Sequence, residues 1–160
     1  MIILGIDPGL FVTGWGVIKA FSRDNINLIE YGCIKTSRSE TLIKRLENIN
    51  ARLQIIISKY KPNSIAIEEL FFFNGSKNIT FLCQARGAII LTVSLNRIPL
   101  FEYNPKIIKM ATTGYGSASK YQIQHMLKTL LKLKNIPKPV DAADALAIAM
   151  CHANITKQYT

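Results

Sequence analysis

Residues 1–9 read MIILGIDPG, and residues 12–20 read VTGWGVIKA. Met1–Ile6 is an apolar run that stops at Asp7-Pro8-Gly9, the composition of a buried strand followed by a turn. Val12–Ala20 resumes the apolar pattern with Gly14 and Gly16, so a second strand hairpins back on the first. Asn25–Ile34, with Ile26, Leu28, Ile29, Tyr31 and Cys33, supplies a third. The period then changes. Ser37-x-x-Glu40 has the form of a capping box. After it, Leu42, Ile43, Leu46, Ile49, Leu53, Ile56, Ile57 and Tyr60 recur at helical spacing until Lys61-Pro62-Asn63. Ser64–Leu70 is a short apolar strand carrying Glu68 and Glu69 at its end, and a polar loop is expected at Asn74–Lys77. The remaining expected elements are a helix over Ile79–Leu95, a fifth strand over Ile98–Tyr103 and a short helix over Pro105–Ala111. A Gly/Ser/Thr loop at Thr112–Ser119 and helices over Tyr121–Leu133 and Asp141–His152 follow. Strands joined through helices imply parallel pairing, and the leading hairpins add antiparallel pairing. The fold class is therefore α/β, with a mixed five-stranded sheet flanked by helices.

The chain of 160 residues is one domain by length, expected over 1–155 with a short frayed tail at 156–160. Hydrophobic residues make up 49% and charged residues 19%, which excludes a disordered composition. No apolar run reaches the roughly 18 residues of a membrane span. The first residues lack the basic region of a signal peptide. Cys33, Cys83 and Cys151 are odd in number and share no close spacing, which argues against a disulfide framework or a zinc site and for a reducing cytoplasm. Twenty Lys and Arg stand against ten Asp and Glu, a net charge of +10. That imbalance favours a polyanionic partner, nucleic acid ahead of an acidic membrane surface. A compositional drift toward lysine is the alternative.

The ten acids are not scattered. Asp7 and the Glu68–Glu69 pair end apolar strands, and Asp141 and Asp144 open an Ala-rich helix. Buried carboxylates are costly unless paired, hydrogen-bonded or bound to metal. Strand ends project above an open sheet, and positions three apart share a helix face. Asp7, Glu68, Asp141 and Asp144 can thus converge, and hard divalent cations such as Mg²⁺ or Mn²⁺ take such oxygen ligands. Each acid taken singly has a plainer reading. Asp7 fits a turn, Asp141 an N-cap, Asp144 a helix-dipole partner and Glu68 an ion-pair partner. Alternation along the strand sends Glu69 to the other face. Lys106, Lys109, Lys120, Lys128, Lys132, Lys134 and Lys138 gather in the C-terminal half, suited to phosphates or to a solvated surface. Of Phe71, Phe72 and Phe73, one can stack on an unpaired base while the others pack. His125 and His152 read as structural.

These residues also carry a resemblance. GIDPG at 5–9 with TGWG at 13–16, IAIEELFF at 65–72, QARG at 84–87, FEY at 101–103, GYGSA at 114–118 with Lys120, QHM at 124–126 and DAADALAIA at 141–149 together resemble the RuvC family of Holliday-junction endonucleases, in order. The resemblance implies a ribonuclease H-like fold, a homodimer and cleavage of four-way DNA junctions with two Mg²⁺ per subunit, which Mn²⁺ can replace. It implies catalytic and metal-binding roles for Asp7, Glu68, Asp141 and Asp144, with Asp141 the most replaceable because some relatives carry His there. It implies a catalytic or DNA-backbone role for Lys120, DNA contacts at Lys109 and Phe71, and association with a RuvA–RuvB branch-migration complex. Three other readings fit parts of the pattern, one of them a different ribonuclease H-like nuclease acting on RNA or a simple duplex, which only the resemblance separates. A nucleotide-binding module of the actin and sugar-kinase type shares the strand-turn-strand, but the chain is too short for two lobes. A catalytically dead DNA-binding protein would have lost an acid, and all four are present.

Overall fold

A computed structural model describes residues 1–22, 25–70 and 79–156. Five strands make one sheet. They are β1 (Ile2–Asp7), β2 (Val12–Ser22), β3 (Asn25–Lys35), β4 (Ser64–Glu68) and β5 (Leu100–Tyr103), in the order β3-β2-β1-β4-β5. β1 pairs antiparallel with β2 and parallel with β4, so the sheet is mixed and β1 is its middle strand. The helices are α1 (Leu42–Tyr60), α2 (Ile79–Leu95), α3 (Pro105–Thr113), α4 (Lys120–Leu130) and α5 (Val140–Thr156). Alternation along the strands splits the core in two. Leu4, Ile6, Ile65 and Ile67 pack under α1 and α2, while Ile3, Ile18 and Ala66 pack under α3, α4 and α5.

α5 is the element that fixes the site. Residues from Ala142 to Ala153 are almost all buried, apart from half-buried Asp144. The helix lies directly on the first hairpin, where glycine is required. A Cβ on Gly5 would fall 2.1 Å from the carbonyl oxygen of Ala145, and one on Gly14 would fall 2.0 Å from that of Asp141. These hairpin glycines are therefore contact points for a helix near the other end of the chain, and the alanines of that helix are their complement.

Several boundaries differ from expectation. α1 begins at the Thr41 N-cap, whose side chain accepts from the Lys44 amide. Ser37 and Glu40 close a local turn instead, the Ser37 amide donating to Glu40 Oε2 at 3.0 Å. The chain's true capping box lies at Ser119 and Gln122, so α4 starts at Lys120. β4 stops at Glu68, β5 is only Leu100–Tyr103, α4 stops at Leu130, and α5 runs on to Thr156. The loop at Asn74–Lys77, the three phenylalanines Phe71–Phe73 and the tail beyond Thr156 lie outside the described residues.

Candidate active site

Ile6 of β1 pairs with Ile67 of β4, and the next residue of each strand is an acid. Asp7 and Glu68 therefore leave adjacent parallel strands side by side at their carboxyl ends, where open sheets place their ligands. Gly14 pairs with Asp7 across the hairpin. Because the first turn of α5 rests on Gly14, Asp141 comes down beside the same strand end, and Asp144 follows three residues on. Asp141 sits inside the first turn, not at a cap.

The four acids lie close enough for Asp7 to feel the charges of the other three. Burial, then the negative charges of Asp144, Glu68 and Asp141, push the Asp7 carboxyl up to about 8, against a pull from Lys120. Glu68 is raised by burial and by Asp144, and held back by Lys120, Lys109 and Arg86. Lys120 Nζ donates to Asp144 Oδ2 at 2.7 Å, and that bond raises the lysine in turn. Glu68, Asp144, Lys109 and Lys120 border a cavity of about 250 Å³. Asp7 and Glu68 border its neighbour, of about 230 Å³. Glu69 also reaches that second cavity. Alternation does not carry it away, because the regular strand ends one residue earlier. It is nonetheless absent from the charges that raise Asp7.

One positioning group was not assigned from the sequence. Arg86 is buried on α2, its Nη1 donates to the Glu68 carbonyl oxygen at 2.8 Å, and its Nη2 pairs with Glu102 of β5. The signal was an arginine inside an apolar helix together with one of the ten acids inside an apolar strand. His152 is buried between the Tyr103 hydroxyl at Nδ1 (2.7 Å) and Ser64 Oγ at Nε2 (2.8 Å), and His125 packs its ring on Tyr121. Both histidines are held in protein contacts, as expected.

The donor set suits a hard divalent cation. It is all carboxylate oxygen, and its negative charge exceeds what one lysine offsets. Among the described residues no three carboxylate, thiol or imidazole groups are gathered tightly enough to chelate one ion. Asp7, Glu68 and Asp144 instead border two adjoining cavities, with the Lys120 ammonium supplying one positive charge, while Asp141 lines neither.

Acids at the carboxyl ends of a mixed sheet, faced by lysines in a strongly basic chain, define a ribonuclease H-like nuclease. The family described as "Crossover junction endodeoxyribonuclease RuvC" matches residues 3–152. A relative of that name from Endomicrobium trichonymphae is 67% identical over 154 residues, covering 96% of this chain and 81% of the relative. Another, from Caldicellulosiruptor saccharolyticus, is 49% identical over 95% of this chain and 92% of its own. Among solved structures, Thermus thermophilus RuvC in complex with a Holliday junction substrate superposes with a TM-score of 0.92 at 32% identity, over 98% of this chain and 95% of that one. The chain belongs to the RuvC family of crossover junction endodeoxyribonucleases, which are metal-dependent nucleases. None of its described helices is long and apolar enough to cross a membrane.

Proposed function

We propose that the chain, as one nuclease domain over 1–155, resolves four-way Holliday junctions by paired symmetric nicks during recombination and repair in the cytoplasm. The observation that carries this reading is the buried Asp7 carboxyl at the end of the middle strand, surrounded by the charges of Glu68, Asp141 and Asp144. Asp7, on the end of the middle strand and so on the most rigid post, would be the central ligand for Mg²⁺, expected at two per subunit. Glu68, Asp144 and Asp141 would complete the carboxylate set that holds the metal. Mn²⁺ can substitute, sharing the preference for oxygen donors. Bound metal would supply an acidified water and a sink for charge on the leaving oxygen. Arg86 holds the Glu68 main chain in register while that carboxylate works. Lys120 is free to leave Asp144 for the scissile phosphate, its side chain being 68% exposed. Lys109 faces the same cavity and meets the flanking backbone. On family grounds Phe71 is the aromatic that works near the junction centre.

The homodimer has a surface to use. On α2, Phe81, Leu91 and Leu95 are exposed, the last two to 60% and 71%. Gly87 lies on the stripe with Leu91 and Leu95, and a Cβ there would meet nothing within 4 Å. That leaves room for a second helix to approach closely. A RuvA–RuvB complex is the further partner, on family grounds. The test is cleavage of a four-way junction, a plain duplex and an RNA–DNA hybrid, each in Mg²⁺ and in EDTA. Paired nicks in the junction alone, abolished by EDTA, are expected. Equal cutting of duplex or hybrid would overturn the reading.

A further inference from the structure

Phe11, in the turn that joins β1 to β2, carries two guanidinium groups. The Cζ atoms of Arg38 and Arg45 each lie 4.8 Å from its ring centroid, so the two charges stand within about 10 Å of each other. Among the described residues neither forms an ion pair with a carboxylate. The nearby acid Glu40 takes the Ser37 amide, and Glu47 takes Lys44. Like charges held together with no counter-charge are unfavourable unless an anion comes to them.

The pair is also built. Arg45 Nε donates to the Ser37 carbonyl at 2.9 Å and its Nη2 to the Arg38 carbonyl at 2.6 Å, leaving Nη1 without an acceptor among the described residues. The segment is tied to the hairpin, Thr36 donating from its amide to the Phe11 carbonyl and from its hydroxyl to the Leu10 carbonyl. The Phe81 ring meets Phe11 edge-on at 6.1 Å. α1 starts at the same place with no acid in its first turn, so its positive end adds to the field. Phe11 is four residues from Asp7, on the side of the sheet that α1 and α2 cover. Lys109 and Lys120 are on the side of α3 and α4.

We propose that Arg38 and Arg45, braced on Phe11, form a second phosphate-binding site, which holds the backbone of the substrate DNA on the far side of the strand-end acids from Lys109 and Lys120. This rests on the reading of DNA as substrate. A single strand carries a phosphate about every 3.4 Å of helix axis, so two or three successive phosphates span the pair. The site positions the strand across the acids and does not read bases.

The test is anisotropy of a labelled four-way junction in EDTA across a range of KCl. Arg38→Ala should lower the slope of log affinity against log salt by about one, and the Arg38→Ala/Arg45→Ala double variant by about two. Arg38→Lys should retain the slope. Lys44→Ala, whose charge is already paired, should leave it unchanged. Wild-type slopes in variants with native melting curves would overturn this site alone, if the wild type binds and cuts the junction. An equal slope loss in Lys44→Ala would overturn it too, by showing summed charge and no site. Absence of salt-dependent junction binding by the wild type would bring down the substrate reading, and this inference with it.

Discussion

Arg86 connects three elements with one side chain, and a backbone bond to Glu68 makes it a positioning residue. A planar guanidinium can serve a carbonyl and a carboxylate together, which an ammonium cannot do in the same geometry. Arg86→Met should therefore lower the cleavage rate about 10- to 100-fold, the range for groups that orient a ligand, while leaving junction affinity near wild type. Arg86→Lys should recover only part. An affinity loss equal to the rate loss would mean the variant has simply unfolded or repacked. Glu68→Gln should abolish cleavage, and Glu69→Gln should stay close to wild type, because Glu68 borders both adjoining cavities and Glu69 only the one that Asp144 and Lys120 do not line. Equal losses measured by junction cutting would refute that distinction. The acids were legible in sequence because a carboxylate in an apolar run is costly and so conspicuous. Arg86 stood out only as part of the QARG resemblance. Its burial arises when β5 docks and brings Glu102 to it, a contact between positions with no shared local pattern.

Elements were legible wherever a period was strong. α1 and the leading hairpin appear where the apolar spacing puts them, and α2 keeps its expected bounds although it is apolar nearly all round. The ends were less so. Ser37-x-x-Glu40 has the letters of a capping box, yet Thr41 caps α1, while Ser119 and Gln122, at the edge of a Gly/Ser/Thr loop, make the real one. Side-chain capping is decided by backbone geometry, which the letters only permit. α5 shows the same limit in packing. Its alanines suggested burial, but its place depends on close approach to Gly5 and Gly14, which is visible only once the hairpin exists. The far end of α5 carries a pH prediction. Burial lowers the His152 imidazole from 6.5 to about 4. Between those values the unfolded chain takes up a proton that the folded chain refuses, so stability falls as pH drops through that window. Each tenfold difference in proton affinity between the two states is worth about 1.4 kcal/mol. Urea unfolding at pH 6.5 and at pH 4 should show a smaller acid loss in His152→Gln than in the wild type. Identical losses would contradict the assignment.

At the scale of the whole molecule, a four-way junction presents two equivalent strands, and one domain has one set of acids. A twofold dimer matches the substrate's symmetry with two sites. The exposed stripe on α2 is where the second copy is expected. Light scattering should give about 36 kDa, twice the chain's 17.9 kDa. Leu91→Glu/Leu95→Glu should halve that mass and turn linear product from a supercoiled cruciform into nicked circles. A monomeric wild type that still linearises the cruciform in one binding event would refute paired sites. On the proposed reading the molecule divides its work: the acids at the sheet's carboxyl end cut DNA, and the surrounding cations bind it. Asp7→Asn separates the two tasks, with binding and cleavage of one labelled four-way junction measured side by side. The variant should bind about as tightly as the wild type, the lysines that face the DNA backbone being unchanged, and should leave the strands intact in Mg²⁺. Nicking at the wild-type rate would contradict that division.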